Sequence, residues 1–457
     1  MKPRMLHLNR LDVPPAVRQV LRTLQTGGHE AWLVGGCVRD FLLGRTPKDY
    51  DIATDALPER IESLFAKTLS IGKAFGIITV LPEDGEPVDV ATYREDAAYT
   101  DGRHPQTVRF TNAREDARRR DFTVNALLWN PDMGEWMDHV GGRADLEARV
   151  IRAIGNPLHR FREDKLRMLR AIRFAAVLGF SIAPETFCAI QRLAPDIRQI
   201  SVERIREELF RMLTEAPLAG NALQLLQTSG LLREILPEVA AMAGVEQPPE
   251  FHPEGDVFTH TRMMLDALPP SPSLRLALAV LLHDVGKPPT ASRVILPDGR
   301  HRWRFENHAR VGGTMARSLL ERLKTPAALT DEVVGMIDNH MRLADAPRMR
   351  PAKLRRLLGA PTFEDELELH RLDCQASHGQ LDVHHFLKTV REERREEPIL
   401  PTPLVRGRDL IRMGYRPGPA FAGVLKEVYD RQLDGQTDPA ALLAAVPDLF
   451  ATPPPSS

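Results

Sequence analysis

Leu33-Val-Gly-Gly-Cys-Val-Arg-Asp-Phe-Leu-Leu-Gly-Arg-Thr-Pro-Lys-Asp-Tyr-Asp-Ile-Ala-Thr54 decides the fold of this chain. Trp32, Leu33 and Val34 form a short apolar run that stops at Gly35-Gly36, and Val38 to Leu43 then carry a helical pattern closed by Gly44. The order is strand, glycine turn, helix. Glycines without a Cβ let phosphate oxygens approach the backbone at Gly36, a helix N-terminus supplies free N–H groups, and Arg39 adds a fork of donors. A triphosphate suits such a turn. Asp49 and Asp51 follow at i and i+2, so on a strand both carboxylates project from one face. Two carboxylates so placed can bridge a pair of Mg²⁺ ions roughly 3.5–4 Å apart, the spacing of in-line phosphoryl displacement.

Other features bound the answer. At 457 residues the chain suggests two to four domains. Acidic and basic residues nearly cancel, 62 against 61, so an RNA partner would have to be met by segregated patches. Arg118-Arg-Arg120, the series Arg167, Arg170, Arg173, and Arg348 to Arg356 are such runs, and arginine suits phosphate better than lysine. Cys37, Cys188 and Cys374 follow no zinc spacing and fit reduced thiols. The N-terminus lacks an apolar targeting core and no run is long enough to span a bilayer, so the expectation is a soluble, cytoplasmic protein with no membrane partner.

Short β-type runs fall early, at 31–34, 51–53, 76–81, 87–93, 107–110 and 125–129, separated by helical stretches such as 58–66. They predict an α/β head over residues 1–150. The rest reads as all-α, with helices over 164–178, 205–213, 221–228, 274–283 and 311–323, and with breaks at Gln247-Pro-Pro-Glu250 and Ile399-Leu-Pro-Thr-Pro403. The expected division is a head at 1–150, a helical neck and body at 151–247, a third domain at 248–398, and a C-terminal helical segment with a disordered tail at 399–457.

Further motifs follow in order. Asp89, in Pro87-Val-Asp-Val-Ala-Thr-Tyr93, lies in an alternating strand suited to pair beside Asp51 and is the natural third carboxylate. Arg118-Arg-Arg-Asp-Phe-Thr-Val-Asn-Ala126 places Asp121 with Asn125, a pair suited to a ribose 2′-hydroxyl that both donates and accepts. In Glu163-Asp-Lys-Leu-Arg167, Asp164 and Arg167 sit three apart on an expected helix and would face the same way. Cytosine and adenine each offer an amino group beside a ring acceptor and satisfy that pair; uracil and guanine leave a buried charge unpaired.

Together these segments resemble the class II tRNA nucleotidyltransferases, the family of CCA-adding enzymes and bacterial poly(A) polymerases within the polymerase-β-like superfamily. The resemblance runs over residues 30 to 215. It implies a polymerase-β-like mixed sheet with helices, Mg²⁺ on Asp49 and Asp51, nucleotide contacts from Gly36, Arg39, Arg120, Asp121, Asn125, Asp164, Arg167, Arg170 and Arg173, and ATP, CTP and tRNA as partners. Asp138-His-Val-Gly-Gly142 is similar to the family's third motif and reads as a hinge. The polar stretch from Tyr93 to Phe110 resembles the loop that assists the final addition of A. Glu203-Arg-Ile-Arg-Glu-Glu-Leu209 resembles the last motif, with Arg204 and Glu208 bracing helices.

A second constellation, His260, His283-Asp284, His308, His340 and Asp373, recurs in the order of an HD-domain metal site. Imidazoles with carboxylates suit Mn²⁺, Fe²⁺, Ni²⁺, Co²⁺ or Mg²⁺. The region resembles the HD phosphohydrolase domain fused to some bacterial CCA-adding enzymes, which implies phosphatase and 2′,3′-cyclic phosphodiesterase activity. Three readings stay open beside C and A addition: an enzyme restricted to part of that sequence or making poly(A), a hydrolase whose head only binds nucleotide, and an RNA-binding protein without catalysis. Oligomeric state is left open.

Overall fold

The computed structural model describes residues 13–96, 108–295, 297 and 299–450. The chain divides into two compact units, Met1–Ala240 with Arg322–Lys324, and Ala241–Glu321 with Thr325–Ser457.

The first unit is built on a mixed sheet. Its strands are β1 (Ala31–Val34), β2 (Asp51–Thr54), β3 (Thr68–Leu69), β4 (Ile77–Val80), β5 (Val88–Thr92), β8 (Leu128–Asn130) and β9 (Glu135–Met137), ordered β3-β4-β5-β2-β1-β8-β9. Every residue of β1 is buried, as its uninterrupted Ala-Trp-Leu-Val demands of a strand paired on both edges. β2 and β5 are the parallel pair, and their register sets Asp51 directly beside Asp89. Ile52, Ala53 and Thr54 are buried while Asp51 at the strand's start is exposed, so the sheet presents its carboxylates at one end. The expected run at 125–129 is shifted: Thr123–Asn125 is a 3-10 turn, and the strand begins at Leu128.

Between β5 and β8, β6 (Arg94–Asp96) and β7 (Val108–Phe110) form a separate antiparallel ribbon. The polar stretch expected to act as a loop therefore has strands at both ends, and its tip, 97–107, lies outside the described residues. Tyr93 is buried and donates its hydroxyl to Glu30 at 3.2 Å.

Helices complete this unit: Pro157–Glu163, Leu166–Leu178, Pro184–Leu193, Val202–Glu215, Ala219–Thr228 and Leu231–Ile235. Leu166–Leu178 is buried along nearly its whole length, including Arg167 and Arg173, and ends at Gly179, whose φ of 70° suits a residue without Cβ. The helix expected from Asp164 starts two residues later. Asp164 is extended at φ −139° and its side chain accepts from the Leu166 N–H at 3.0 Å, so it precedes the helix rather than lying on it.

The second unit is helix-rich, with Val257–Asp266, Leu274–Leu282, His308–Arg322, Ala327–Asn339 and Phe363–Ala376 as its main helices. Leu274–Leu282 carries Leu-Arg-Leu-Ala-Leu-Ala-Val-Leu-Leu and is buried from Leu276 onward, which makes it this unit's central element. A second cluster gathers Val405, Leu410, Tyr415, Val424, Val428, Leu442 and Val446.

Two small ribbons correct the expectation that all chain beyond residue 150 is helical. β10 (Val150–Ile151) pairs parallel with β11 (Ser181–Ile182), and β12 (Ala291–Ile295) pairs antiparallel with β13 (His301–Phe305). The second pair has a readable cause: Val294-Ile295 and Trp303 are strand formers on either side of a Pro- and Gly-containing turn. The tail, 451–457, lies outside the described residues. Among the described residues no helix is long and apolar enough to cross a membrane.

Candidate functional sites: a nucleotide-binding sheet edge and a histidine metal cluster

The glycine turn folds as its sequence implies. Gly35 holds φ 82° and ψ −136°, and Gly36 opens the helix Gly36–Leu42. A Cβ on Gly35 would lie 3.5 Å from Asp51 Oδ2 and 3.6 Å from Arg120 Nη1, so this turn, the strand carboxylate and the guanidinium share one small space. Asp49 is exposed and lies just before β2 rather than within it. Asp89 accepts from Thr79 Oγ1 at 2.6 Å. Loss of hydration pushes the Asp51 carboxyl up to about 6, with Arg120 drawing it down and Asp49 and Asp89 driving it further up. Carboxylates that crowd negative charge onto Asp51 in this way are a donor set suited to a hard cation, because a bound divalent ion reverses that repulsion. The three do not form as tight a group as the second unit's ligands: among the described residues, the sets of three potential ligand atoms within 4.8 Å of one another all involve the histidine cluster.

A chain of buried and partly buried polar bonds links the other motif residues. Arg39 Nη1 donates to Asn125 Oδ1 at 2.7 Å, Asn125 Nδ2 to Asp121 Oδ1 at 3.4 Å, and Arg170 to Asp121 Oδ2 at 2.9 and 2.6 Å. Burial works against the Asp121 charge, but Arg170 outweighs it and holds the carboxyl at about 2. The Phe174 ring gathers three guanidiniums, those of Arg39 at 5.3 Å, Arg170 at 5.2 Å and Arg173 at 4.2 Å from its centroid. Arg39 also meets Asp40 Oδ1 at 2.8 Å, so its fork is shared between protein partners and is less free for phosphate than the sequence suggests.

Asp164 and Arg167 do not pair with each other. Asp164 Oδ2 accepts from Arg204 at 3.0 Å; Arg167 donates to Glu163 Oε2 at 2.7 Å and to the Arg160 carbonyl at 3.0 Å. Each polar group is pinned by its own neighbour, with Arg167 only 8% exposed. Arg173 is held by Glu208 at 2.6 Å, so Arg204 and Glu208 do brace helices, through the very residues that carry the motif.

Several of these partners were missed in the sequence. Asp116 is buried and binds Arg119 at 2.7 Å and Arg120 at 3.2 Å, aiming the latter at Asp51. Its i+3 and i+4 spacing to those arginines was the available signal, as was that of Glu163 to Arg167. Phe174 offered none. Asp138 caps the chain that follows it: its carboxylate accepts from the N–H groups of Val140, Gly141, Gly142 and Arg143 at 2.8 to 3.2 Å.

In the second unit all six expected ligands meet. His260, His283 and Asp373 form one set, and Asp284, His308 and His340 another, each within 4.8 Å. His283 Nε2 lies 3.1 Å from Asp284 Oδ2, which joins the two, and His308 Nε2 lies 3.3 Å from His340 Nε2. His283, His308 and His340 each point Nδ1 at a backbone carbonyl, of Val280, Phe305 and Ile337, at 2.7 to 2.9 Å. This leaves Nε2 as the lone-pair donor toward the centre. His283 Nε2 and Asp284 Oδ1 are buried without a hydrogen-bond partner, as befits metal ligands. Lys287 Nζ lies 2.7 Å from Asp284 Oδ2. Burial and the neighbouring His283 push His340 down to about 4, which keeps it neutral and able to ligate. Burial likewise opposes charge on His260, yet Asp373 and Glu254 push it up to about 9.

Residues 31–152 match the poly(A) polymerase head domain, 179–242 the probable RNA- and SrmB-binding site of polymerase A, and 256–375 the HD domain. The CCA-adding enzyme of Bacillus subtilis is 45% identical over 217 residues, 47% of this chain and 54% of that protein. That of Geobacillus stearothermophilus is 44% identical over 213 residues, 46% of this chain and 52% of its own. The chain thus spans about half the length of the curated relatives it matches. Among solved structures, the Bacillus stearothermophilus CCA-adding enzyme in complex with CTP superposes with a TM-score of 0.69 at 27% identity, covering 94% of this chain and 98% of that one. The Thermotoga maritima CCA-adding enzyme complexed with tRNA shares the fold, with a TM-score of 0.61 at 20% identity over 96% and 97% of the two chains. The first half of the chain thus matches the poly(A) polymerase head and RNA-binding models, a later segment matches the HD domain model, and the fold is similar to that of a CCA-adding enzyme.

Proposed function

We propose that the protein adds C and A to tRNA 3′ ends from CTP and ATP with release of pyrophosphate, and that its HD domain hydrolyses phosphate esters. The observation that carries the first part is the shared space of Gly35, Asp51 and Arg120, backed by the Arg39–Asn125–Asp121–Arg170 chain. Asp49 and Asp51, with Asp89 alongside, would hold Mg²⁺. The chemistry that ion supplies is positive charge, which makes a 3′-hydroxyl more acidic and offsets charge on the departing pyrophosphate. Gly36 leaves room for phosphate oxygens, Arg120 balances their charge next to Asp51, and Asp121 with Asn125 faces the ribose. Asp164 and Arg167 present an acceptor and a donor to the base, each held by a protein partner that the base must share.

In this reading residues 1–150 carry the transfer chemistry, 151–247 the base and RNA contacts, 248–398 the hydrolysis, and 399–457 further support. The 44–46% identical relatives named as CCA-adding enzymes favour C and A addition over poly(A) synthesis or a non-polymerising head. For the HD domain the imidazole-rich set favours Ni²⁺, Mn²⁺ or Co²⁺ over Mg²⁺. A cytoplasmic site of action fits three cysteines without disulfide partners. Incubating the protein with tRNA ending at the discriminator base, in C or in CC, and with an A-rich RNA tests the proposal: extension of each tRNA to CCA supports it, and an A tail on every substrate overturns it.

A further inference from the structure

His260 differs from the other imidazoles in how it is held. His283 and His340 follow the helices Leu274–Leu282 and Ala327–Asn339 directly, where the last carbonyls lack helical partners and can accept an imidazole N–H. His260 is the fourth residue of Val257–Asp266, and its anchor comes from outside the helix. Its Nδ1 lies 2.6 Å from Glu254 Oε1, a carboxylate in the turn before the helix whose side chain is only 3% exposed. The same oxygen meets His252 Nδ1 at 2.8 Å, and the two imidazoles pack edge to face with centroids 5.0 Å apart. Among the described residues the ion-pair partners of Glu254 are these two histidines. On its other side His260 Nε2 faces Asp373 Oδ1 at 3.1 Å.

We propose that Glu254 is a positioning residue of the HD metal centre, one that acts through His260 and is itself held in place by His252. Accepting from Nδ1–H fixes the tautomer, turns Nε2 toward Asp373 and His283, and makes this imidazole a stronger donor than its carbonyl-anchored neighbours, since a carboxylate polarises the ring more than an amide does. The inference rests on reading the histidine cluster as a divalent-metal site, which an experiment can separate from the role of Glu254.

The full-length protein, stripped with chelator and kept in excess Mg²⁺ to occupy the head, is titrated with Co²⁺ while the visible d–d absorption reports histidine-bound ion. Glu254→Gln keeps the shape and an acceptor oxygen but removes the charge, and losses for such outer partners run roughly 10- to 100-fold in metal affinity. The expected result is a fall in Co²⁺ affinity of at least fivefold with a shifted absorption band, in protein whose metal-free melting temperature and circular dichroism match wild type. A loss smaller than fivefold overturns the proposal while leaving the metal site standing. Wild-type protein that gives no such absorption overturns the metal reading and this inference with it. If Glu254→Gln does not fold, Glu254→Asp, which keeps the charge but retracts the oxygens, is judged by the same fivefold criterion.

Discussion

Replacing Arg167 tests the account of base choice where the structure gives it most leverage. Its guanidinium spans Glu163 and the Arg160 carbonyl, and it is nearly buried, so it cannot swing to solvent when a wrong base arrives. A charged donor left facing the N–H of uracil or guanine loses a bond of about 1.5–3 kcal/mol, roughly a 10- to 150-fold penalty in kcat/KM. Arg167→Ala should remove that penalty, so UTP and GTP incorporation rises 10-fold or more relative to CTP and ATP. Glu163 keeps Arg160 as a partner, which limits the structural cost. Single-nucleotide incorporation into tRNA ending in CC, measured as kcat/KM for all four triphosphates, reads the ratio. Wild-type ratios preserved within threefold would refute the amino-acid template.

Asp49→Ala or Asp51→Ala should reduce nucleotide incorporation by more than a hundredfold while tRNA affinity in a filter-binding assay stays within threefold; activity within tenfold of wild type removes these carboxylates from the site. His283→Ala combined with Asp284→Ala should abolish phosphatase and 2′,3′-cyclic phosphodiesterase activity assayed with Ni²⁺, Co²⁺ or Mn²⁺, and spare C and A addition in Mg²⁺. Loss of addition as well would contradict the independence of the two sites. In chelator the raised proton affinity of His260 predicts a pH dependence: its folded-state value of about 9 exceeds the ordinary 6.5, so its stabilisation is complete below 6.5 and is lost as pH rises through 9. That shift corresponds to on the order of 3 kcal/mol. Thermal melts from pH 6 to 10 should show the fall in wild type and a flatter profile in His260→Gln.

What the sequence reveals and what it hides follow from distance along the chain. The glycine turn, Asp51 and β2 lie within one short segment, so strand, turn and helix could be read there with near-correct bounds. The six candidate HD ligands are legible because His-Asp adjacency and spaced imidazoles are rare outside metal sites, and the fold brings all six together. The motif gives Arg204 and Glu208 their bracing role but not their partners: Arg204 reaches Asp164 and Glu208 reaches Arg173 across long stretches of sequence, and no local pattern encodes those contacts. The spacing of Asp164 to Arg167 is helical, yet an aspartate there competes for the Leu166 N–H and stands ahead of the helix. Glu254 carries no local signal, since a turn glutamate looks solvent-exposed until the histidines close over it.

The most direct test of the central claim is the product formed by the purified protein from tRNA ending at the discriminator base, with CTP, ATP and Mg²⁺, resolved at single-nucleotide length and sequenced. The account predicts growth by the three nucleotides C, C and A and then arrest, abolished by Asp51→Ala. No extension, or a run of A residues added without C, would contradict it.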